Sequence, residues 1–406
     1  MKNWKDAYQV LAAGLTDRGL AVDNLKSLLK AQHIETPSWG YADSGTRFNV
    51  FRQAGAAISI QEKLDDAAAV HRFTGVTPTV AVHTAWDFVE GVDPQEVVKY
   101  AEAQNVKIGA INPTMFQEQF YLQGSIANFD PKVRQHVVDH MLHSVEIGRQ
   151  TGSKLLSLWY ADGTNYPGQG DFNKRKHWVS ECLAEVYAAM PDDMRMLLEY
   201  KLFEPGFYHT DIADWGMAYV FCEKLGDRAE VLVDLGHHAR AVNIEHIVAF
   251  LLDEGRLGGF HFNDARYADD DLTTGSVNPY QTYLIYTELV KAGELAKDVA
   301  YMIDQSHGEK PKIEAMIQSV CNIQRAYAKA LLVDWAALTQ AQAEGNIVDG
   351  ENCLIAAFNT DVEPLLMEVR EEMGLNPDPL AAFRASGYQQ KIDSERGFRK
   401  GGGSLG

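Results

Sequence analysis

Seven short apolar runs, each ending in a polar residue and separated from the next by a helical pattern, limit the folds open to this chain. The runs are 77–83, 107–112, 154–159, 196–199, 231–234, 259–263 and 299–304. Helical patterns fall between them, for example at 94–103, 133–151, 173–189 and 244–257. Strands alternating with helices at this spacing imply parallel βαβ units. An eighth strand is expected at 47–51 or between 275 and 286. Eight units whose strands end in polar side chains favour a closed TIM (β/α)8 barrel, with chemistry at the carboxyl ends of the strands. The chain contains neither a G-x-G-x-x-G nor a P-loop to support an open nucleotide-binding sheet.

The flanking regions read as helical. Tyr8, Leu11, Leu15, Leu20, Leu25, Leu28 and Leu29 recur at helical intervals. The expected division is N-terminal helices and a loop at 1–50, the barrel at 51–330, and a helical C-terminal extension and tail at 331–406. The aromatic stretch 39–51 reads as packing, or as a loop lying across a neighbouring subunit's site. The glycine-rich end at 401–406 is expected to be disordered unless a partner orders it.

Composition narrows the function. Asp and Glu number 56 against 37 Lys and Arg, a net charge of −19. That balance opposes a nucleic-acid partner, which needs clustered basic groups. Cys182, Cys222, Cys321 and Cys353 make no C-x-x-C pair, so a cytoplasmic protein without a disulfide framework is the natural expectation. Nothing resembles a signal peptide or a membrane span.

The strand exits supply the chemistry. Asp234 and His237 follow the run at 231–234, in the spacing Asp-x-x-His. Glu199, Asp234, His261 and Asp304 come from four strands and can ring one cation only if the barrel closes. His237, Asp269 and Asp271 can hold a second; in an extended loop Asp269 and Asp271 face the same way. Mixed carboxylate and imidazole donors suit Mn²⁺, Mg²⁺ or Co²⁺ better than a thiolate-loving metal. Simpler readings stay open: a core histidine at 261, a solvated loop around Asp270, a buried pair between Glu199 and Lys201. Burying this many carboxylates without cations would cost several kcal/mol each. His83, with Asp87 four residues on, suits an oriented acid–base. Lys201 can neutralise an oxyanion or balance Glu199. Trp159, Phe116 and Trp86 offer apolar faces for a sugar, or ordinary core packing.

Together, His83-Thr84-Ala85-Trp86-Asp87, Glu199-Tyr200-Lys201 with Glu204-Pro205, Val233 to His238, Phe260 to Asp264 with Asp269 to Asp271, and Asp304-Gln305-Ser306-His307 resemble L-rhamnose isomerase. The resemblance is to the broad-specificity bacterial type that also acts on allose and allulose, within the xylose-isomerase-like barrels. It extends over most of the chain, including 387–391. It implies two divalent ions per subunit, usually Mn²⁺, a homotetramer, and aldose–ketose isomerisation by a metal-mediated hydride shift, with a cis-enediol route as the rival. It assigns Glu199, Asp234, His261 and Asp304 to a structural ion and His237, Asp269 and Asp271 to a catalytic one. His83 would bind and open the sugar ring, and Lys201 would stand near O1. The implied catalytic set is therefore His83, Lys201, Asp304 and His237. His83, Lys201, Trp159, Phe116 and Trp86 would line the substrate. A ketose 3-epimerase, an endonuclease-type phosphoesterase and a non-catalytic sugar-binding barrel are the competing readings.

Overall fold

The structure is a computed structural model and describes residues 4–43, 50–204 and 207–399. Eight parallel strands close into a barrel: β1 (Glu35–Pro37), β2 (Thr79–His83), β3 (Lys107–Asn112), β4 (Leu155–Leu158), β5 (Arg195–Glu199), β6 (Ala229–Asp234), β7 (Leu257–Phe262) and β8 (Ala300–Ile303). They follow one another around the ring in chain order, and β1 pairs with both β2 and β8.

The pleat sorts side chains between two cores. Leu156, Leu158, Leu198, Val231, Val233, Phe260 and Phe262 face the surrounding helices. Ala81, Ala110, Leu197, Leu232 and Met302 form a separate cluster inside the bore. Because successive side chains alternate, the inward position two residues further along each strand is polar or charged: His83, Asn112, Glu199, Asp234 and Asp304. The barrel is thus apolar at its base and polar at its carboxyl mouth.

The eighth strand is not where the sequence placed it. The 275–286 stretch runs into the helix Pro279–Ala292, and the 47–51 run lies largely outside the described residues. Instead β1 closes the ring, so the barrel begins ahead of residue 51. This strand has no apolar run to announce it, since Glu35 and Thr36 are both buried polar residues. Glu35 Oε1 accepts the Ala110 N–H at 2.9 Å, beside the register shift between β2 and β3. Only glycine fits at position 109, where a Cβ would lie 1.6 Å from the Glu35 carboxylate.

The helix Lys312–Ala330 follows β8, and five more helices run from Trp335 to Arg396. The N-terminal helices Trp4–Asp17 and Val22–Lys30 lean on this extension, where Lys26 and Lys30 meet Glu372 at 2.6 and 2.5 Å. The tail is anchored further than its polar sequence implied. Arg396 reaches the buried Asp66 at 2.7 Å, on the helix Ile60–Thr74. Residues 401–406, expected to be disordered, lie outside the described residues. Among the described residues no helix is long and apolar enough to cross a membrane.

Candidate metal centre and cleft

Glu199 ends β5, Asp234 ends β6, His261 lies in β7 and Asp304 follows β8. Each offers one donor atom, and these four atoms lie within 4.8 Å of one another. Ladder register produces the convergence, because His261 is the partner of Asp234 across β6 and β7 and of Met302 across β7 and β8. His261 Nδ1 faces Glu199 Oε2 at 3.3 Å, Asp304 Oδ2 at 3.6 Å and Asp234 Oδ2 at 3.8 Å.

Burial shifts the members of this cluster in different directions. Burial and the neighbouring Glu199 and Asp304 carboxylates push Asp234 well above the ordinary carboxylate range. Burial raises Asp304 too. Burial lowers His261, but Glu199, Asp304 and Asp234 outweigh it and bring the imidazole up to about 9. Neither ring nitrogen of this buried histidine has a hydrogen-bond partner among the described residues. Asp234 and Asp304 are driven to hold protons while His261 and His237 keep Glu199 ionised at about 2 against its burial, and this mixed carboxylate and imidazole set fits a bound divalent cation in donor type.

The second group gathers beside the first. His237 Nε2 stands 2.9 Å from Asp269 Oδ1, while its Nδ1 faces the Tyr200 carbonyl at 2.9 Å and Glu199 Oε1 at 3.2 Å. Asn263 Nδ2 donates to both Asp234 oxygens at 3.0 Å and to Asp271 Oδ1 at 3.4 Å, joining the two groups. Asp269 and Asp271 are not in an extended loop. Both have positive φ, 26° and 45°, a region costly for residues other than glycine. Asp264 and Leu272 pair to close this loop. Asp270 accepts from the Arg266 and Tyr267 amides at 2.6 and 2.8 Å, so it braces the turn while both its neighbours line the cleft. His238, next to His237, points elsewhere, with Nε2 2.5 Å from the Tyr200 hydroxyl.

Lys201 does not pair with Glu199. It donates to Asp269 Oδ2 at 2.5 Å and to Glu204 Oε2 at 2.8 Å. Burial opposes its charge, but Asp269 and Glu204 outweigh this and hold the ammonium protonated. Glu204 sits on a small antiparallel sheet (Gly163–Thr164, Phe203–Glu204, Tyr208–Thr210) formed by the loops after β4 and β5.

Asp87 does not orient the His83 ring either. Its carboxylate accepts the His83 backbone N–H at 2.8 Å and the Ser38 hydroxyl at 2.5 Å, and it pairs with Lys63 at 2.6 Å. The short helix Thr84–Asp87 turns the side chain back onto the end of β2. The ring nitrogen Nδ1 meets Thr114 Oγ1 at 3.0 Å instead. Burial, then the nearby Lys63 charge, pull His83 well below its usual value.

The cleft above the cluster has about 560 Å³ of empty volume, its open mouth included. His83, Phe116, Trp159, Lys201, His237, Asp269, Asp271 and Asp304 all line it. Trp86 stacks behind His83, with ring centroids 3.9 Å apart, and is not part of the lining. Trp39, whose sequence context suggests only a packing or bridging aromatic, lines this chain's own cleft and donates its indole N–H to Asp304 Oδ1 at 2.7 Å. Asn112 and Ser157 also line the cleft, and sequence reasoning does not single them out. Their signal is their inward parity on β3 and β4.

The chain matches the family model described as xylose isomerase-like TIM barrel over residues 64–290. It is 42% identical to a "Probable sugar isomerase" of Rhizobium meliloti, over 98% of this chain and 94% of that protein. A protein of the same description from Mesorhizobium japonicum is 41% identical, over 97% and 93%. The xylose isomerase of Thermus thermophilus is 25% identical, over 58% of this chain and 65% of its own length.

Proposed function

The chain belongs to the xylose isomerase-like TIM-barrel family, and from that premise we propose that it interconverts aldoses and ketoses, with L-rhamnose to L-rhamnulose as the first reaction and D-allose/D-allulose as further substrates. The observation that carries this reading is the meeting of the Glu199, Asp234, His261 and Asp304 donor atoms within 4.8 Å, beneath a cleft walled by aromatic rings and a lysine. Those four residues would hold one divalent ion, and His237, Asp269 and Asp271 a second, with Mn²⁺ preferred. Ions bound there polarise a sugar carbonyl and lower the pKa of an adjacent hydroxyl or water.

The protein's own groups do the rest. Trp39 fixes the Asp304 carboxylate through its indole N–H. Lys201 keeps a positive charge at the cleft wall, placed to donate to an oxygen that gains negative charge. His83 enters the cleft uncharged, so it can accept a hydrogen bond from a sugar hydroxyl. Phe116 and Trp159 meet edge to face, 4.7 Å between centroids, and keep water from the reacting carbons. That shielding favours transfer of hydrogen between C1 and C2 without exchange. The assembly is proposed to be a homotetramer, which light scattering measures.

The test is a panel of aldoses and ketoses assayed after chelation and again after Mn²⁺ is returned. Metal-dependent ketose formation, fastest with L-rhamnose, is expected; no turnover of any sugar refutes the reading. Epimerisation at C3 in place of isomerisation would replace it with the epimerase. In deuterated water little label should enter the product, and extensive label at the transferred carbon excludes a shielded hydride shift.

A further inference from the structure

Three aromatic rings box in the imidazole of His83. Trp86 lies against it, and Trp39 and Phe116 stand edge-on at 4.8 and 6.3 Å between centroids. Such contacts fix the plane of the ring but not which way round it sits. A half-turn about the Cβ–Cγ bond puts carbons where the nitrogens were, in nearly the same outline. Only a hydrogen bond separates the two orientations. Among the described residues the ring makes one, from Nδ1 to Thr114 Oγ1 at 3.0 Å. Nε2 has no partner among those residues and is not sealed off from solvent. Because the ring lines the cleft, Nε2 is the nitrogen left for a sugar oxygen.

Thr114 is itself fastened from outside the barrel. It is 1% exposed and lies two residues past the end of β3. Pro113 before it has a fixed φ, and Met115 after it is buried. The Thr114 N–H donates to His140 Nε2 at 3.1 Å, on the helix Pro131–Thr151. Burial, then the neighbouring His143 and His136, lower His140 to about 4, which keeps that nitrogen an acceptor. One turn further along the same helix, Ser144 Oγ meets the hydroxyl of Thr84, the residue after His83, at 2.9 Å. One helix thus brackets His83 at two points. In a neutral imidazole one nitrogen donates and the other accepts, and the bond made at one decides the state of the other. Resting on the sugar reading above, we propose that Thr114 is the positioning residue of His83: its hydroxyl selects one ring orientation and one tautomer, and so presents Nε2 to a substrate oxygen.

Histidine-ring ¹⁵N NMR of the full-length, Mg²⁺-loaded protein reads this directly, with His83 assigned from the spectrum of His83→Asn. Wild type, Thr114→Val, Thr114→Ala and Thr114→Ser are compared at about pH 8, above the ordinary histidine pKa. Their kcat/KM for L-rhamnose is measured alongside with Mn²⁺. In wild type the two His83 nitrogens should give well-separated resonances, one protonated and one not. In Thr114→Val and Thr114→Ala the two should move toward each other as the tautomers mix. Their kcat/KM should fall about 5- to 10-fold, the population lost with one hydrogen bond. Thr114→Ser keeps the hydroxyl and should restore both readouts. In a His83→Asn background, Thr114→Val should cost nothing further; an equal loss there would reveal general damage and overturn the proposal. Unchanged His83 resonances overturn it too, as do altered resonances with unaltered kcat/KM. The resonance pattern in a protein that turns over no sugar leaves the held ring standing and removes the isomerase reading.

Discussion

Replacing Lys63 with Met tests how the aromatic side of the cleft is held. Lys63 and Asp87 are both fully buried and 2.6 Å apart. At an effective dielectric constant of about 20, that separation corresponds to an attraction of about 6 kcal/mol. The hydrogen bonds from Ser38 and the His83 amide would still reach the Asp87 carboxylate and offset part of the loss. A cost of about 3–5 kcal/mol is therefore expected, as for other buried charges deprived of their partner. The paired change Lys63→Met with Asp87→Asn removes both charges and should cost less than the two single changes added together, by at least about 2 kcal/mol. Urea denaturation of the four proteins at one concentration measures the cycle. Activity adds a second readout, because Asp87 ties the end of β2, which carries His83, to Ser38, the neighbour of Trp39. The K63M change should lower kcat/KM by roughly 10- to 100-fold through displaced groups. A stability loss under about 1 kcal/mol with unchanged kcat/KM would refute the reasoning.

Three further outcomes follow from the same geometry. Asp234→Asn should lower kcat/KM by more than about 10³-fold and weaken Mn²⁺ binding, as expected when a buried ligand loses its charge; activity near wild type would remove Asp234 from the site. Trp39→Phe deletes the 2.7 Å bond to Asp304 and should weaken Mn²⁺ affinity by about 10-fold or more, measured by competition with a chelator; unaltered affinity would show that the indole does not orient the carboxylate. The folded-state pKa of His83 is depressed, so its charged form is the one disfavoured and the ring is neutral at and above its ordinary pKa of 6.5. The pH profile of kcat/KM should therefore have no inflection near 6.5 that His83→Asn abolishes, and finding one would contradict the neutral assignment.

Much of this architecture was legible because alternation in a strand is strict. Once the apolar runs around Leu197, Leu232 and Met302 are read as barrel strands, Glu199, Asp234 and Asp304 must face inward, and the first donor set follows. The first strand was hidden for a physical reason: Glu35 and Thr36 are both buried polar residues, so no apolar run marks it, and Pro37 ends the strand after three residues. Asp269 meets His237, but the backbone at Asp269 and Asp271 is not the extended loop expected, since their orientation depends on positive φ angles that residue spacing does not reveal. The His83 and Asp87 spacing suggested a side-chain dyad, yet the short helix between them hands the carboxylate to the backbone and to Lys63, which is distant in sequence. Ser157 lies between leucines in the sequence, and only the closed barrel brings the residue to the cleft lining.

Anomalous diffraction from crystals soaked in Mn²⁺, recorded at the manganese edge, addresses the central claim most directly. A strong peak is predicted between Glu199, Asp234, His261 and Asp304, with another beside His237, Asp269 and Asp271. Crystals that take up manganese elsewhere, with no peak among the first four side chains, would contradict the account.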